Sequence, residues 1–188
     1  MRLYSRQLRS AIPGRRRLII GACAAAPLLW LPRRASAANA PRELRFVHTH
    51  TGESFALACA AGGRYLTAAL DELSHFLRDF RNGATHDIDP GLLEQLDLLV
   101  QATGTRAPFQ VISGYRSPET NQMLRREGHG VAAHSLHLEG RAIDIRLPDV
   151  KLADLRDAAL SLRAGGVGYY PSADSDFVHI DTGHVRRW

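Results

Sequence analysis

Residues 135–145 read Ser-Leu-His-Leu-Glu-Gly-Arg-Ala-Ile-Asp-Ile, which sets His137 and Asp144 seven positions apart with Gly140 between them. No other stretch constrains the fold as much. From Ala142 onward the residues alternate: Ile143, Ile145 and Leu147 share one face of a strand, and Ala142, Asp144 and Arg146 share the other. A carboxylate opposite an apolar face belongs on the open side of a sheet whose other side is core. Gly140 supplies a turn that swings His137 back toward it. An imidazole and a carboxylate so placed suit one metal ion; zinc takes His nitrogen and Asp oxygen at ~2.0–2.2 Å and, in catalytic sites, keeps a position for water. The segment Phe177-Val178-His179-Ile180-Asp181 offers a third ligand, since Val178 and Ile180 face inward and His179 and Asp181 face the other way. The expected metal set is therefore His137, Asp144 and His179. The bland alternative is that these residues form a buried polar network.

The rest of the chain supplies a scaffold. Leu44 to Thr51 alternates and ends at Thr51-Gly52, which predicts a strand and hairpin turn carrying His48 and His50. The spacing of Leu66, Ala69, Leu70, Leu73, Phe76, Leu77 and Phe80 predicts an amphipathic helix that stops at Arg81-Asn82-Gly83, with Arg78-Asp79 near its end. Asp89 caps a second helix with Pro90 at its first position. Phe109 to Ser113 is a short strand leading through Gly114-Tyr115-Arg116 to a helix begun by Ser117-Pro118. Arg116, at that junction, either makes a structural salt bridge or forks onto a carboxylate or developing oxyanion. His129 and His134 lie in the loop before the His137 motif. Asp149-Val150-Lys151 opens a further helix, and the glycine-rich run 164–171 leads into an edge strand bearing Tyr169 and Tyr170. The sum is an α+β domain: a small, mainly antiparallel sheet carrying the ligands, with helices packed on one side.

Residues 1–37 stand apart. Arg15-Arg16-Arg17-Leu18-Ile19 opens an apolar run to Leu31, and Ala35-Ser36-Ala37 is an A-x-A cleavage site, the pattern of a secretory signal. The paired arginines before Leu-Ile read as a twin-arginine signal. The run is too short to span a membrane and Pro27 interrupts it. Eight of the 24 basic residues and none of the 19 acidic ones lie here, which leaves sixteen against nineteen and a net charge of −3 on residues 38–188. The basic balance of the whole chain thus belongs to the signal and gives no support to nucleic-acid binding. The remaining 151 residues fit one domain. They keep a single cysteine, Cys59, among alanines, which excludes an intramolecular disulfide and reads as a small buried hydrophobe. A monomer is expected, as no oligomerisation signal is visible.

The motifs Ser135-x-His137-x-x-Gly140-x-Ala142-x-Asp144, Phe177-Val178-His179-Ile180-Asp181-Thr182-Gly183, Ser113-Gly114-Tyr115-Arg116-Ser117-Pro118 and the closing Arg187-Trp188 resemble those of the YcbK/MepK-like murein endopeptidases. These belong to the zinc peptidase group that includes D-alanyl-D-alanine carboxypeptidases and the hedgehog fold. Spacing alone indicates a metal hydrolase. The resemblance implies a zinc endopeptidase acting on peptide cross-links of peptidoglycan in the periplasm or cell envelope. A D,D-carboxypeptidase on stem peptides and a non-catalytic zinc-bearing wall-binding module are the alternatives. It also implies a role for Arg116 in stabilising substrate or transition-state charge. In carboxypeptidase relatives a Glu three residues before the last His is the general base, a place held here by Asp176. Asp181 shares the strand face of His179 and is the preferred base or, alternatively, orients a ligand; Glu139 is a third option. Tyr115, His134 (where related sequences commonly carry Asn) and Tyr169 are the expected substrate contacts, with Tyr170 beside them.

Overall fold

In the computed structural model, which describes residues 43–58, 67–128, 131–173 and 175–188, seven strands form one sheet. They are β1 (Glu43–His48), β2 (Ser54–Ala58), β3 (Phe109–Ser113), β4 (Ala142–Arg146), β5 (Gly166–Ser172), β6 (Ser175–Asp181) and β7 (Arg186–Arg187), in the order β2-β1-β3-β4-β6-β5-β7. Four neighbouring pairs are antiparallel; β1·β3 and β5·β7 are parallel. Among the described residues the helices are α1 (Thr67–Phe76), α2 (Pro90–Thr103), α3 (Pro118–Arg126) and α4 (Leu152–Leu162), so the mixed α+β class is as expected.

The β4–β6 ladder divides core from site. Ile143 pairs with Ile180 and Ile145 with Val178, and Val167 of β5 lies beyond Ile180. These side chains are buried together with Leu92, Leu96, Leu99 and Leu155 from α2 and α4. Cross-strand partners share a face, so this row is the apolar one. The alternate row runs Asp144, His179, Gly168 across β4, β6 and β5 and faces the other way. A one-residue slip of register would bury the ligands in the core.

The helix starts follow their capping signals. Asp89 accepts from the Gly91 N–H at 2.9 Å with Pro90 at the first position, and Ser117 Oγ accepts from the Thr120 N–H at 3.2 Å. Three boundaries differ from the sequence pattern. Helix α1 ends at Phe76, not Phe80, because Asp79 is drawn inward: it is 1% exposed and accepts from the Arg81 and Ser117 N–H groups at 3.0 and 2.9 Å. Helix α4 begins at Leu152 because Asp149 turns away to Thr105 and Arg106. Strand β5 is second from the edge, since β7 pairs along it. Leu66, Cys59, His129 and the expected signal 1–37 lie outside the described residues. Among the described residues, no helix is long and apolar enough to cross a membrane.

Candidate metal centre

A 3-10 turn, Leu136–Glu139, carries His137 and ends on Gly140 at φ +63°, a backbone conformation that glycine adopts without strain. The turn aims His137 at Asp144 on β4 and His179 on β6, which are cross-strand partners. His137 Nδ1 lies 2.7 Å from the Gly114 carbonyl oxygen. A carbonyl only accepts, so Nδ1 carries the proton and Nε2 presents its lone pair to the site. His179 Nε2 lies 3.1 Å from Asp181 Oδ2, which leaves Nδ1 as its inward atom.

The three inward atoms converge. His137 Nε2 is 3.2 Å from His179 Nδ1 and 3.3 Å from Asp144 Oδ1, and the latter two are 2.8 Å apart. Ligands at 2.0–2.2 Å from a tetrahedral ion sit about 3.4 Å from one another. The donor set is therefore slightly contracted from that geometry and fits a small divalent ion. All three residues are buried, and each imidazole has its outer nitrogen fixed by an acceptor, the arrangement that sets tautomer and orientation in His-metal sites.

The charges agree with a ligand cluster. Burial pushes the Asp144 carboxyl up, but the His137 and His179 rings outweigh it and hold it far below the usual carboxylate range. Burial pushes His179 down; hydrogen bonds to Asp144 and Asp181 outweigh it and raise it to about 9. His137 is held below its ordinary value, because its burial outweighs the pull of Asp144. Without an ion, the cluster thus keeps one proton on His179, between two carboxylates. An ion would take that proton's place.

A cavity of about 400 Å³ opens over the ligands. Arg116 and His134 are in its wall, as the sequence indicates. Arg116 is 9% exposed, lies 3.8 Å from Asp144 Oδ2 and bonds Asn121, while its Nε has no partner among the described residues. Its backbone N–H donates to the His137 carbonyl at 3.0 Å, so the two loops lock together.

Five expected residues stand elsewhere. Asp181 is fully buried behind His179 and does not line the cavity; its oxygens accept from the Gly166 and Gly183 N–H groups and from Arg186, as well as from His179. Both of its oxygens are thus engaged, and it has no face on the cavity from which to reach a water over the ligands. Asp176 is exposed and pairs with Arg146 at 3.5 Å, away from the cavity. Tyr115 packs into the core and stacks on His86. Tyr169 lies under Arg156 in a different pocket. Glu139 is exposed and paired with Arg141.

The cavity wall includes Tyr170, Phe177, Arg186 and Trp188 instead. The Trp188 indole donates to Tyr170 Oη and its ring lies 5.2 Å from His179. It rests over Gly168, where a Cβ would meet the indole at 2.9 Å. The closing Arg-Trp pair was the signal in the sequence for these contacts. Asp79, which ties the Arg116 loop to α1, had only its position beside Arg78 to mark it. Arg78 itself pairs with Glu53. His48 and His50 lie apart from the ligand cluster; His48 is buried against Phe76 and Phe80.

Two imidazoles and a carboxylate converging on a mixed sheet beneath a cavity form a candidate metal centre of a kind that metal-dependent hydrolases carry. Within that class the chain belongs to the Peptidase_M15_2 family, described as peptidoglycan L,D-endopeptidase MepK, whose family model matches residues 36–188. It is 49% identical over 148 residues to the peptidoglycan L,D-endopeptidase MepK of Escherichia coli K12, covering 79% of this chain and 80% of that one. It is 42% identical over 149 residues to the probable peptidoglycan L,D-endopeptidase MepK of Haemophilus influenzae, covering 79% of each. Among solved structures, the L-Ala D-Glu endopeptidase ChiX of Serratia marcescens aligns with 61% of this chain and 87% of that one, at 18% identity and a TM-score of 0.38.

Proposed function

We propose that this chain is a zinc-dependent endopeptidase that hydrolyses peptide cross-links of peptidoglycan at L,D bonds. The observation that carries the reading is the convergence of His137 Nε2, Asp144 Oδ1 and His179 Nδ1 to within 3.3 Å of one another below an open cavity. The E. coli and H. influenzae relatives, named as peptidoglycan L,D-endopeptidases, support the substrate. Two imidazoles and one carboxylate are a donor set that zinc takes readily. When bound, the ion supplies Lewis acidity, polarising the scissile carbonyl and making water a nucleophile near neutral pH.

The protein's own groups do the rest. The Gly114 carbonyl and Asp181 hold the two imidazoles in the tautomers that face the site. Arg116 is always charged, is desolvated and lines the cavity beside Asp144, so it serves the oxyanion that develops on the substrate. With Asp176 and Asp181 outside the wall, proton transfer is assigned to His134, since imidazole moves protons well near neutral pH. Tyr170, Phe177 and Trp188 form the apolar side of the cleft and exclude water from the substrate's backbone. Residues 1–37 act as an export signal, consistent with a family match that starts at residue 36 and with a substrate in the envelope.

Digestion of purified murein sacculi by the protein, metal-loaded and chelated, tests this reading. Metal-dependent loss of cross-linked dimers is expected. A shortened stem with cross-links intact would indicate a carboxypeptidase. No change with the ion bound would indicate a wall-binding module, a reading favoured by the lack of a carboxylate base in the described cavity wall.

A further inference from the structure

The cavity over the ligands has a neighbour. A second one, of about 320 Å³, shares Arg116, Val131, Asp144 and Phe177 with the first and runs on to His50, Arg81 and Glu127. A peptide lying over the ligands has room to continue past Arg116 into it.

The second cavity holds Arg81 beside His50, with Glu127 also in its wall. Burial and then the Arg81 charge hold His50 below its ordinary value, and Arg81 also opposes the charge on Arg116 after burial does. The other guanidinium groups nearby are engaged: Arg116 with Asp144 and Asn121, Arg186 with both oxygens of Asp181, Arg78 with Glu53. Arg81 differs. Its guanidinium lies 4.2 Å from the centre of the Phe80 ring, which itself stacks on His50 at 4.1 Å. Its backbone N–H donates to Asp79, the buried carboxylate that also holds the residue after Arg116. Among the described residues, no carboxylate or carbonyl accepts from the Arg81 side chain. An exposed guanidinium lying over a ring at the wall of a cleft, with no acceptor among the described residues, is free to receive a carboxylate.

This rests on the peptidoglycan reading above. In a side-chain cross-link, the D-centre that contributes the amide nitrogen keeps its own carboxyl free, two bonds from that nitrogen. We propose that Arg81 binds this free carboxylate, so that the second cavity takes the amine-side residue of the scissile bond and the first takes the acyl side. The enzyme is then selective for L,D-peptides whose D-residue carries an unmodified carboxylate.

The test uses the metal-loaded protein and two synthetic substrates that share an L-acyl residue linked to a D-residue amine. One has the D-carboxylate free and the other has it as a carboxamide. The wild type is expected to favour the carboxylate by about ten- to a hundredfold in kcat/KM, the effect of a charge-assisted pair. In Arg81→Ala that ratio collapses toward one, with the loss in KM for the carboxylate substrate. Arg81→Gln, which keeps the stem lying on Phe80, gives the same collapse and guards against misfolding of the first variant. A wild type that cleaves both substrates equally, or an Arg81→Ala variant with the wild-type ratio, overturns the proposal while leaving the peptidase reading intact. Cleavage of neither substrate, nor of murein cross-links, overturns both.

Discussion

Asp181 Oδ2 lies 3.1 Å from His179 Nε2, while the other nitrogen of the same ring lies 2.8 Å from Asp144 Oδ1. One imidazole thus bridges two carboxylates with different tasks. On the proposed reading Asp144 is a ligand. Asp181, gripped by two backbone N–H groups and by Arg186, fixes the His179 ring and would make it a more basic ligand.

Asp181→Asn should weaken metal affinity by about ten- to a hundredfold, because the neutral amide polarises the His179 N–H less. It should also destabilise the fold by about 1–3 kcal/mol, a buried charge having been removed from Arg186 and two N–H donors. Chelator competition and thermal unfolding measure the two effects separately. A variant with normal affinity and no turnover would instead point to a direct catalytic role for Asp181.

Arg116→Ala should lower kcat by about a hundred- to a thousandfold in protein shown to hold its ion, with a smaller effect on KM. Arg116→Lys should recover only part of this, because one ammonium cannot replace a planar fork. Steady-state kinetics on a cross-linked muropeptide decide the matter.

The metal-free protein should have a characteristic pH profile. His179 is raised to about 9, so its contribution to stability is full below its ordinary value near 6.5 and is lost as pH rises toward 9. Asp144 and Asp181 are depressed, so their contributions are present above the ordinary value near 4 and are lost as pH falls below it. His137 is held below its ordinary value, so its contribution is present above about 6.5 and is lost as pH falls below it; stability of the chelated protein should therefore be greatest near pH 6.5 and decline on both sides. Loading the ion near pH 7 should release about one proton, which calorimetry in buffers of different ionisation enthalpy reads directly.

Gly140→Ala should cost at least about 2 kcal/mol, since the position is left-handed and a Cβ would collide with the Asp87 carbonyl oxygen. Gly168→Ala should be milder for the fold but should displace Trp188 from beside His179. Denaturant unfolding and tryptophan fluorescence follow each change.

The convergence of His137, Asp144 and His179 was legible in the sequence because its geometry is local. Gly140 makes the turn, and strand alternation puts Asp144 and His179 opposite the apolar row. The surroundings of Asp181 were not legible. Alternation placed Asp181 on the face of His179, correctly, yet its carboxylate is sequestered by Gly166, Gly183 and Arg186, which reach it from β5 and from the turn after β6. Tyr169 and Tyr170 are equivalent in sequence; only the pairing of Tyr170 with Phe177, and the return of the chain to place Trp188 against it, bring Tyr170 to the cleft. The end of α1 was hidden for a related reason. Leu77 and Phe80 keep helical spacing, but the Leu77 carbonyl accepts from Tyr115 and Asp79 turns inward to Ser117, partners more than thirty residues away.

The most direct test of the metal centre is a titration of zinc into the chelated protein, with bound ion per chain and loss of cross-linked muropeptide dimers followed in the same samples. Cleavage should rise in proportion to occupancy and saturate at one ion per chain, and His179→Ala should show neither high-affinity binding nor cleavage. Full cleavage by the ion-free protein, or by His179→Ala, would contradict the account.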